Sequence, residues 1–172
     1  LALGLREGQA LLIQGPPGTG KSTTAAEIFA QLLQRNANVR ILVCSHSNHG
    51  TDTLLMKVLP FVPNPAASIA RVGFYERVAP LARPYFASSD QEVVKRSLVF
   101  TTIDSLALRD AAGAQLYDYV ILDEANRAGV LDSLLALARG TRYILVGDQL
   151  QLPPVLSEAA RRMTAPSNGD AH

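Results

Sequence analysis

Short apolar runs alternate along the chain with segments in which apolar residues recur every three or four positions. Five unbroken runs predict β-strands at residues 10–14, 40–45, 97–102, 119–124 and 143–147. Unbroken runs are typical of parallel strands that are covered on both faces. The alternation of these runs with helical segments predicts an α/β fold, in which a parallel sheet carries helices on both faces.

Two segments have the apolar spacing of a helix, residues 22–35 and residues 128–138. We expect the apolar stripe of each helix to face the core. The stripes consist of Ala25, Ile28, Phe29, Leu32 and Leu33 in the first segment and of Val130, Leu131, Leu134, Leu135 and Ala138 in the second.

Other segments lack these patterns. Residues 60–68 and 80–90 are rich in proline and small residues, which predicts loops on either side of a short element at residues 69–73. The composition of residues 163–172 is typical of a disordered tail. We therefore expect one domain over residues 1–162.

Composition and charge limit the function classes. With 172 residues, 48% of them hydrophobic and 18% charged, the chain can form one globular core. The net charge of +1 provides no strong basic field, so that any binding of nucleic acid must depend on local groups. The single cysteine, Cys44, cannot form an internal disulfide, and His46 and His49 have no third metal ligand near them in sequence. Without a signal peptide or a membrane-spanning run, the chain is expected to be cytoplasmic.

The segment LLIQGPPGTGKSTT contains the first candidate site. Gly15, Gly20, Lys21 and Ser22 match the pattern G-x-x-x-x-G-K-[ST], with a predicted strand before it and a predicted helix after it. In this pattern backbone N–H groups surround phosphates, the lysine reaches the β and γ oxygens, and the serine hydroxyl binds Mg²⁺. The predicted nucleotide-binding residues are Gly15, Pro16, Pro17, Gly18, Thr19, Gly20, Lys21, Ser22 and Thr23. The alternative is a glycine turn that holds no ligand.

Two adjacent acids follow a buried strand in the segment YVILDEANRA. Asp123 is expected to hold Mg²⁺ through water, and Glu124 is expected to orient and activate the attacking water. Adjacent acids can also form a solvated turn or the start of a helix, where negative charge is favourable. Together with the glycine-rich loop about 100 residues upstream, the two acids predict an ATPase.

The segment YILVGDQLQLPPV contains a third candidate motif. Gly147 lets the chain turn at the carboxyl end of a strand, where open α/β sheets bind their ligands. Gln151 precedes Leu152, Pro153 and Pro154, and its neutral amide can sense the γ-phosphate without competing for Mg²⁺. The alternative is a rigid turn in which Gln151 faces solvent.

Five segments of the chain resemble motifs I, Ia, Ic, II and III of the superfamily 1 helicases in order and spacing. They are GPPGTGKS, ILVCSHSNHGTDTLL, SLVFTTIDSL, VILDEANRA and LVGDQLQLPP. The resemblance extends over residues 10–162 and is to the branch that contains the nonsense-mediated-decay helicase and the Okazaki-processing nuclease-helicase. It implies the first RecA-like domain of a P-loop NTPase motor that uses Mg-ATP to move along single-stranded DNA or RNA. In that fold the strand of motif III lies between the phosphate-loop strand and the strand that carries Asp123.

The same resemblance implies contacts with the backbone of a single strand. Ser47, Asn48 and Thr51 of motif Ia and Thr101 and Thr102 of motif Ic would make them. Small hydroxyl and amide donors suit phosphate contacts that position a strand without reading its bases. Ser47 or Asn48 could also serve as the N-cap of the following helix, and the two roles are compatible.

Three departures from the family pattern affect what the chain can do alone. Arg127 stands where many relatives carry glutamine, and it either replaces a contact near the γ-phosphate or faces solvent. The family's adenine-recognising glutamine would precede Leu1, and the second RecA-like domain, which supplies arginines to the transferred phosphoryl group, would follow the chain. The resemblance thus implies a fragment that binds Mg-ATP, contacts single strands weakly and does not unwind alone. A RecD-type DNA helicase domain and a non-catalytic nucleotide-binding module remain the alternatives.

Overall fold

Six parallel strands form one sheet in the computed structural model, which describes residues 4–108 and 116–151. The strands are β1 (Ala10–Gln14), β2 (Ile41–Ser45), β3 (Ile69–Val72), β4 (Leu98–Thr102), β5 (Tyr119–Asp123) and β6 (Tyr143–Gly147). Their order across the sheet is β1-β6-β5-β2-β4-β3. The α/β fold class is therefore confirmed, and β6, the strand of motif III, lies between β1 and β5 as expected.

Some predictions lie outside the described residues. They are the boundary at residue 162, the tail at residues 163–172 and the residues Leu152, Pro153 and Pro154 of motif III. Within the described residues, no helix is long and apolar enough to cross a membrane.

Six α-helices connect the strands within the described part of the chain. They are α1 (Lys21–Arg35), α2 (Asn48–Val58), α3 (Pro65–Ser68), α4 (Asp90–Val94), α5 (Ile103–Leu108) and α6 (Val130–Leu137). Single 3-10 turns occur at Leu59–Phe61, Tyr75–Arg77, Arg83–Tyr85 and Ala125–Arg127. The predicted strands and helices lie within two residues of the observed ones.

The predicted loops at residues 60–68 and 80–90 are only partly irregular. The first contains α3, in which Pro65 occupies the first turn and the Asn64 side chain accepts a hydrogen bond from the Ala67 N–H. Proline is compatible with this position because its fixed φ suits a helix start and its missing N–H would have no helical partner there. The sequence interpretation predicted a loop from proline and small residues, and it therefore missed a short helix.

The core has two halves, one on each face of the sheet. Alternate residues of β2 point to opposite faces, so that Ile41 and Val43 pack with Phe29 of α1, whereas Leu42 and Cys44 belong to the other half. The strands β2, β3 and β4 are buried along their whole length. The half of the sheet from β2 to the edge strand β3 therefore has the two-sided burial that its apolar runs predict.

Two burial predictions are wrong. The stripe of residues 128–138 does not face the core: Leu131 is 81% exposed and Val130, Leu134 and Ala138 are also exposed, whereas Ala136 is buried. In β1, likewise, Leu12 is 69% exposed. The described residues cover β1 only on the face on which α1 packs, where Leu11 and Ile13 lie against the core.

A buried ion pair anchors the start of α2 to β3. The Arg71 side chain is fully buried, and its Nε lies 2.5 Å from Asp52 Oδ1. The guanidinium also donates to the Val72 carbonyl and, over 2.9 Å, to Asn48 Oδ1. The second Asp52 oxygen accepts from the Ala79 N–H over 2.8 Å. Because both charges are paired and bonded, removing either partner would leave a buried unpaired charge, which typically costs about 3–5 kcal/mol.

We predict that Cys44 is unreactive in the folded chain. It is fully buried in β2, and burial raises the pKa of its thiol to about 12, so that almost no thiolate is present at about pH 8. Ellman's reagent should therefore react slowly with the native chain, at a rate limited by opening of the structure. In concentrated guanidinium the same thiol should react at once, and rapid reaction of the native chain would contradict the burial of β2.

Candidate nucleotide and nucleic-acid site

The predicted site residues meet at the carboxyl edge of the sheet. The pairing register sets Gln14 beside Gly147, and it sets Ser45 beside both Asp123 and Thr102. Since all six strands are parallel, the loops that follow them open at this one edge. Motifs that are far apart in sequence are therefore neighbours in space.

The phosphate loop joins β1 to α1 and depends on its glycines. Gly18 and Gly20 have φ values of 78° and 87°, in the left-handed region that favours glycine. A Cβ on Gly15 would lie 2.7 Å from Thr19 Oγ1, which itself donates to the Pro16 carbonyl over 2.7 Å. The loop is thus closed on itself, with the first turn of α1 directly behind it.

Lys21 lies across this loop. Its ammonium donates to the carbonyl oxygens of Gly15 and Pro16, the latter over 2.9 Å. A cation held by neutral carbonyls is available for a stronger, anionic partner. Ser22 follows Lys21 in the first turn and is half-buried.

One cleft of about 310 Å³ brings the predicted catalytic and metal-binding residues together. Lys21, Ser22, Asp123, Glu124 and Gln151 all contribute to its lining. The other lining residues are Pro17, His49, Gly50, Thr53, Asn126, Arg127 and Gly147. Among the described residues there is no cluster of three or more His, Cys, Asp or Glu side chains that could hold a metal ion. A metal in this cleft would need ligands from a nucleotide or from water.

Asp123 is a buried carboxylate at the end of β5. It is 5% exposed, and its Oδ1 accepts from the Glu124 N–H over 3.0 Å. Burial raises the pKa of the Asp123 carboxyl, and the adjacent Glu124 raises it further, although the hydrogen bond from the Glu124 N–H and the charges of Lys21 and Lys57 oppose the shift. In the described part of the chain no lysine or arginine forms an ion pair with Asp123 within 4.0 Å. A hard cation with oxygen ligands fits this position because it would offset the cost of burying the charge.

Glu124 is strained and connects two motifs. Its φ and ψ are 55° and 36°, and among the described residues it is the one non-glycine residue with positive φ. Such a conformation costs about 1–3 kcal/mol, and residues that adopt it cluster at functional sites. Its Oε2 accepts from Ser47 Oγ over 3.2 Å and from Ser45 Oγ over 3.4 Å, and its Oε1 lies 3.5 Å from Arg127 Nη1. Motif II is thus bonded directly to motif Ia.

The sequence interpretation did not identify Ser45 and Gly50 as site residues. A Cβ on Gly50 would lie 2.5 Å from Ser45 Oγ and 3.5 Å from Glu124 Oε2, so that glycine permits the close approach of α2 to Glu124. The available signal was a glycine in the first turn of a helix, where it costs up to about 1 kcal/mol relative to alanine.

Motif III is tied to motif II by Asn126. The Asn126 Oδ1 accepts from the Asp148 N–H over 3.0 Å, and a Cβ on Gly147 would lie 2.9 Å from the same oxygen. Gln151 Nε2 donates to Asp148 Oδ2 over 3.2 Å. Gln151 is exposed and also lines the cleft, so its position agrees with both interpretations of this segment.

The motif Ia residues have structural roles. Ser47 is the N-cap of α2, since its Oγ accepts from the Gly50 N–H over 3.0 Å, which confirms the capping alternative. Asn48 accepts a hydrogen bond from Arg71. Thr51 is fully buried and donates to the Ser47 carbonyl over 2.9 Å. Of these three predicted contact residues, Ser47 and Asn48 are half-buried and accessible to a ligand.

The motif Ic residues Thr101 and Thr102 are buried, and their hydroxyl groups already have hydrogen-bond partners within the protein. Thr101 donates to the Thr102 carbonyl over 3.0 Å, and Thr102 donates to Ser105 Oγ over 2.9 Å. Contact between a strand and the side chains of Thr51, Thr101 and Thr102 stays a prediction, and it would require these side chains to change partners.

Arg127 lies at the rim of the cleft, with half of its side chain exposed and its guanidinium beside Glu124. It therefore faces the cleft as well as solvent, and a contact with the γ-phosphate stays a prediction.

Comparison with known proteins identifies helicases as relatives of this chain. A family model described as "AAA domain" matches residues 2–93 and 85–158. The chain is 35% identical over 164 residues to the DNA replication ATP-dependent helicase/nuclease DNA2 of Saccharomyces cerevisiae, and it is 34% identical over 175 residues to a probable helicase with zinc finger domain of Homo sapiens. Each alignment covers 88% of this chain but only 10% and 9% of the respective relative. The chain thus spans about a tenth of the length of these relatives.

A solved structure has the same fold. It is a nuclease-deletion mutant of the Type ISP restriction-modification enzyme LlaGI in complex with a DNA substrate mimic, with a TM-score of 0.59 and 17% sequence identity. The match covers 90% of this chain and 17% of that chain.

We predict that Asp123→Asn stabilises the ligand-free chain at about pH 7. The raised pKa means that ionisation of Asp123 opposes folding, so its contribution is most favourable at low pH and is lost as pH rises through the folded-state pKa. Asparagine removes the charge and keeps the oxygen that accepts from the Glu124 N–H.

Thermal unfolding without metal or nucleotide measures this effect. The melting temperature of the variant should exceed that of the wild type at neutral pH, and the difference should shrink as pH falls below about 4, where aspartate is protonated in the unfolded chain. A destabilised variant at neutral pH would contradict the proposed cost of burying this charge.

Proposed function

The chain belongs to the AAA domain family, as a motor domain of the superfamily 1 helicases, and from this premise we propose that it binds and hydrolyses Mg-ATP to drive movement along single-stranded nucleic acid. One observation carries the proposal. The cleft that contains Lys21, Asp123 and Glu124 is joined to the start of α2 by the hydrogen bond between Glu124 and Ser47. Glu124 would belong to the nucleotide site and Ser47 to the strand-binding site, and the hydrogen bond between them would connect the two sites.

The phosphate loop would hold the triphosphate. Its backbone N–H groups and the amino-terminal end of α1 offer partial positive charge to phosphate oxygens. Lys21 would exchange the carbonyl oxygens of Gly15 and Pro16 for the β and γ oxygens. The exchange is favourable because charge-assisted bonds to phosphate are stronger than bonds to neutral carbonyls.

Ser22 and Asp123 would hold the Mg²⁺ that accompanies ATP. Their hydroxyl and carboxylate oxygens are ligands that suit this ion. The ion would also offset the cost of burying the charge of Asp123. When bound, the ion neutralises charge on the phosphate oxygens. Asp123 would also keep Glu124 in place through the bond that it accepts from the Glu124 N–H.

Glu124 would orient the attacking water and accept its proton at a carboxylate oxygen. Its strained backbone and its contacts with Ser47 and Arg127 hold the carboxylate at the cleft. Gln151, anchored by Asp148, would sense the γ-phosphate from the side of β6.

Strand binding would reach Glu124 through Ser47. A phosphate oxygen of the strand that accepts from the Ser47 hydroxyl would replace Glu124 as its partner and free the carboxylate for water. Backbone phosphates are common to DNA and RNA, so that these contacts serve either. The relative DNA2 is named for DNA replication, and the similar solved structure contains a DNA substrate mimic. Translocation would further need a second RecA-like domain, whose arginine typically contributes about 10³- to 10⁵-fold to the rate.

We predict that Lys21→Ala abolishes nucleotide binding, since no other residue of the loop offers a cation to the phosphates. The measurement is the shift in melting temperature on addition of Mg-ATP, together with calorimetric titration of a non-hydrolysable analogue. Lys95→Ala is the matched control, because Lys95 is exposed and precedes β4 at the opposite edge of the sheet. Equal affinity of Lys21→Ala and the wild type would remove Lys21 from the site.

We predict that Glu124→Gln keeps Mg-ATP binding and lowers hydrolysis by about 10²- to 10⁴-fold, the usual contribution of a general base. Single-turnover phosphate release detects even slow hydrolysis, and it should be measured with and without single-stranded DNA or RNA. Stimulation of the wild type by either strand supports the proposal. Equal phosphate release by Glu124→Gln and the wild type would remove Glu124 from this role.

A further inference from the structure

Two exposed aromatic side chains follow β3 at the carboxyl edge of the sheet. Phe74 is 49% exposed, and Tyr75 is exposed to a similar extent. The Arg77 guanidinium carbon lies 5.2 Å from the centre of the Phe74 ring, and that of Arg83 lies 5.0 Å from the centre of the Tyr75 ring. The two rings differ in their packing, because Tyr75 also packs edge to face against Phe86, with 5.3 Å between the two ring centres.

Gly73 places this segment beside the proposed strand-binding residues. Its φ of 155° is a backbone conformation that side-chain-bearing residues rarely adopt. A Cβ on Gly73 would lie 3.5 Å from Ser105 Oγ and 3.9 Å from Asn48 Oδ1. Ser105 is in turn the partner of Thr102. The residue next to Phe74 therefore lies between motif Ia and motif Ic.

A small apolar cavity opens at this place. It has a volume of about 240 Å³ and is lined by Gly73, Phe74, Ser105 and Leu108. Leu108 is itself largely exposed, so that an aromatic ring and an aliphatic side chain flank one opening. Ser105, the hydrogen-bond partner of Thr102, completes the lining. Flat, partly apolar molecules with polar edges fit such a cavity.

We propose that Phe74 stacks on a nucleobase of the single strand whose backbone lies along Asn48 and Ser105. This inference rests on the proposed function, and it assigns the bases of the strand a binding site that the motif residues do not provide. Three observations favour a nucleobase. The cavity is lined by Ser105 and by Gly73, which lies next to Asn48. About half of Phe74 is exposed, and the positive charges of Arg77 and Arg83 lie over the rings of Phe74 and Tyr75.

Stacking also suits the charge of the chain. With a net charge of +1, the chain gains little from long-range attraction to phosphates. Base–aromatic stacking is tolerant of sequence, because every base has a π-face, and it is a recurrent way to bind single strands. A stacking residue beside the backbone contacts would add affinity without base specificity.

The chain contains no tryptophan, so that Phe74→Trp introduces a single reporter at the proposed site. Oligo(dT) should quench its emission, whereas an abasic oligomer of the same length, which carries phosphates but no bases, should leave the emission nearly unchanged. Phe61→Trp is the matched control. Phe61 is 42% exposed but lies with Ser97 and Leu98 at the amino-terminal edge of the sheet, and its emission should not respond to either oligomer.

Binding of labelled oligomers, measured by fluorescence anisotropy, gives the size of the effect. Phe74→Ala should bind oligo(dT) about 5- to 150-fold more weakly than the wild type, the range expected for loss of one stacked base. Its affinity for the abasic oligomer should equal that of the wild type, and Phe74→Trp should restore affinity for oligo(dT). If Phe74→Ala does not fold, the emission of Phe74→Trp decides the question.

The outcomes separate this inference from the proposed function. If the wild type binds oligo(dT) but Phe74→Ala binds it equally well and the tryptophan emission does not change, the stacking site is overturned and the proposed function stands. If the wild type binds neither oligo(dT) nor oligo(U), strand binding and the stacking site are both overturned. Equal quenching by the abasic oligomer would show that Phe74 contacts the backbone and would also overturn the stacking site.

Discussion

Parallel pairing is the constraint on which this molecule depends. Because all six strands of the described sheet run in one direction, every loop that follows a strand opens at the same edge. The register then sets Ser45 beside Thr102 on one side and Asp123 on the other, and it sets Gln14 beside Gly147. Five segments that are separate in the sequence thereby become neighbours at one edge of the sheet. An antiparallel neighbour would send the corresponding loop to the opposite edge.

The site is held together by close packing and by a strained residue. At Gly50, α2 lies so close to Ser45 that a methyl group would not fit. At Gly147, β6 lies similarly close to the turn at Ala125–Arg127. Glu124 adopts positive φ, and its carboxylate is fixed by serines of β2 and of the following loop. The buried pair of Arg71 and Asp52 keeps the start of α2 against β3. Strain at Glu124 can persist because the surrounding bonds determine its position from several directions.

The elements were largely predictable, but their surroundings were not. The apolar runs identified five of the six strands, and the order of β6 between β1 and β5 followed from the family resemblance. The short strand β3 and the helix α3 were missed or left undefined, because a four-residue run and a proline-led turn carry little periodic signal. The stripe of α6 shows the limit most clearly. Periodicity reveals that a helix has an apolar face, but the neighbours of that face depend on where the helix lies against the sheet.

The sequence by itself determined the local chemistry of this protein. Three short-range patterns carry it, in which a few consecutive residues specify a local conformation and indicate a function: the glycine-rich loop with Lys21 and Ser22, the adjacent acids Asp123 and Glu124, and Gln151 after a glycine turn. Only the tertiary structure decided that Glu124 bonds to Ser47, 77 residues away, and that Gly73 lies beside Ser105. The physical reason is that such contacts depend on strand order and register, which are set by packing of the whole core rather than by the residues that meet.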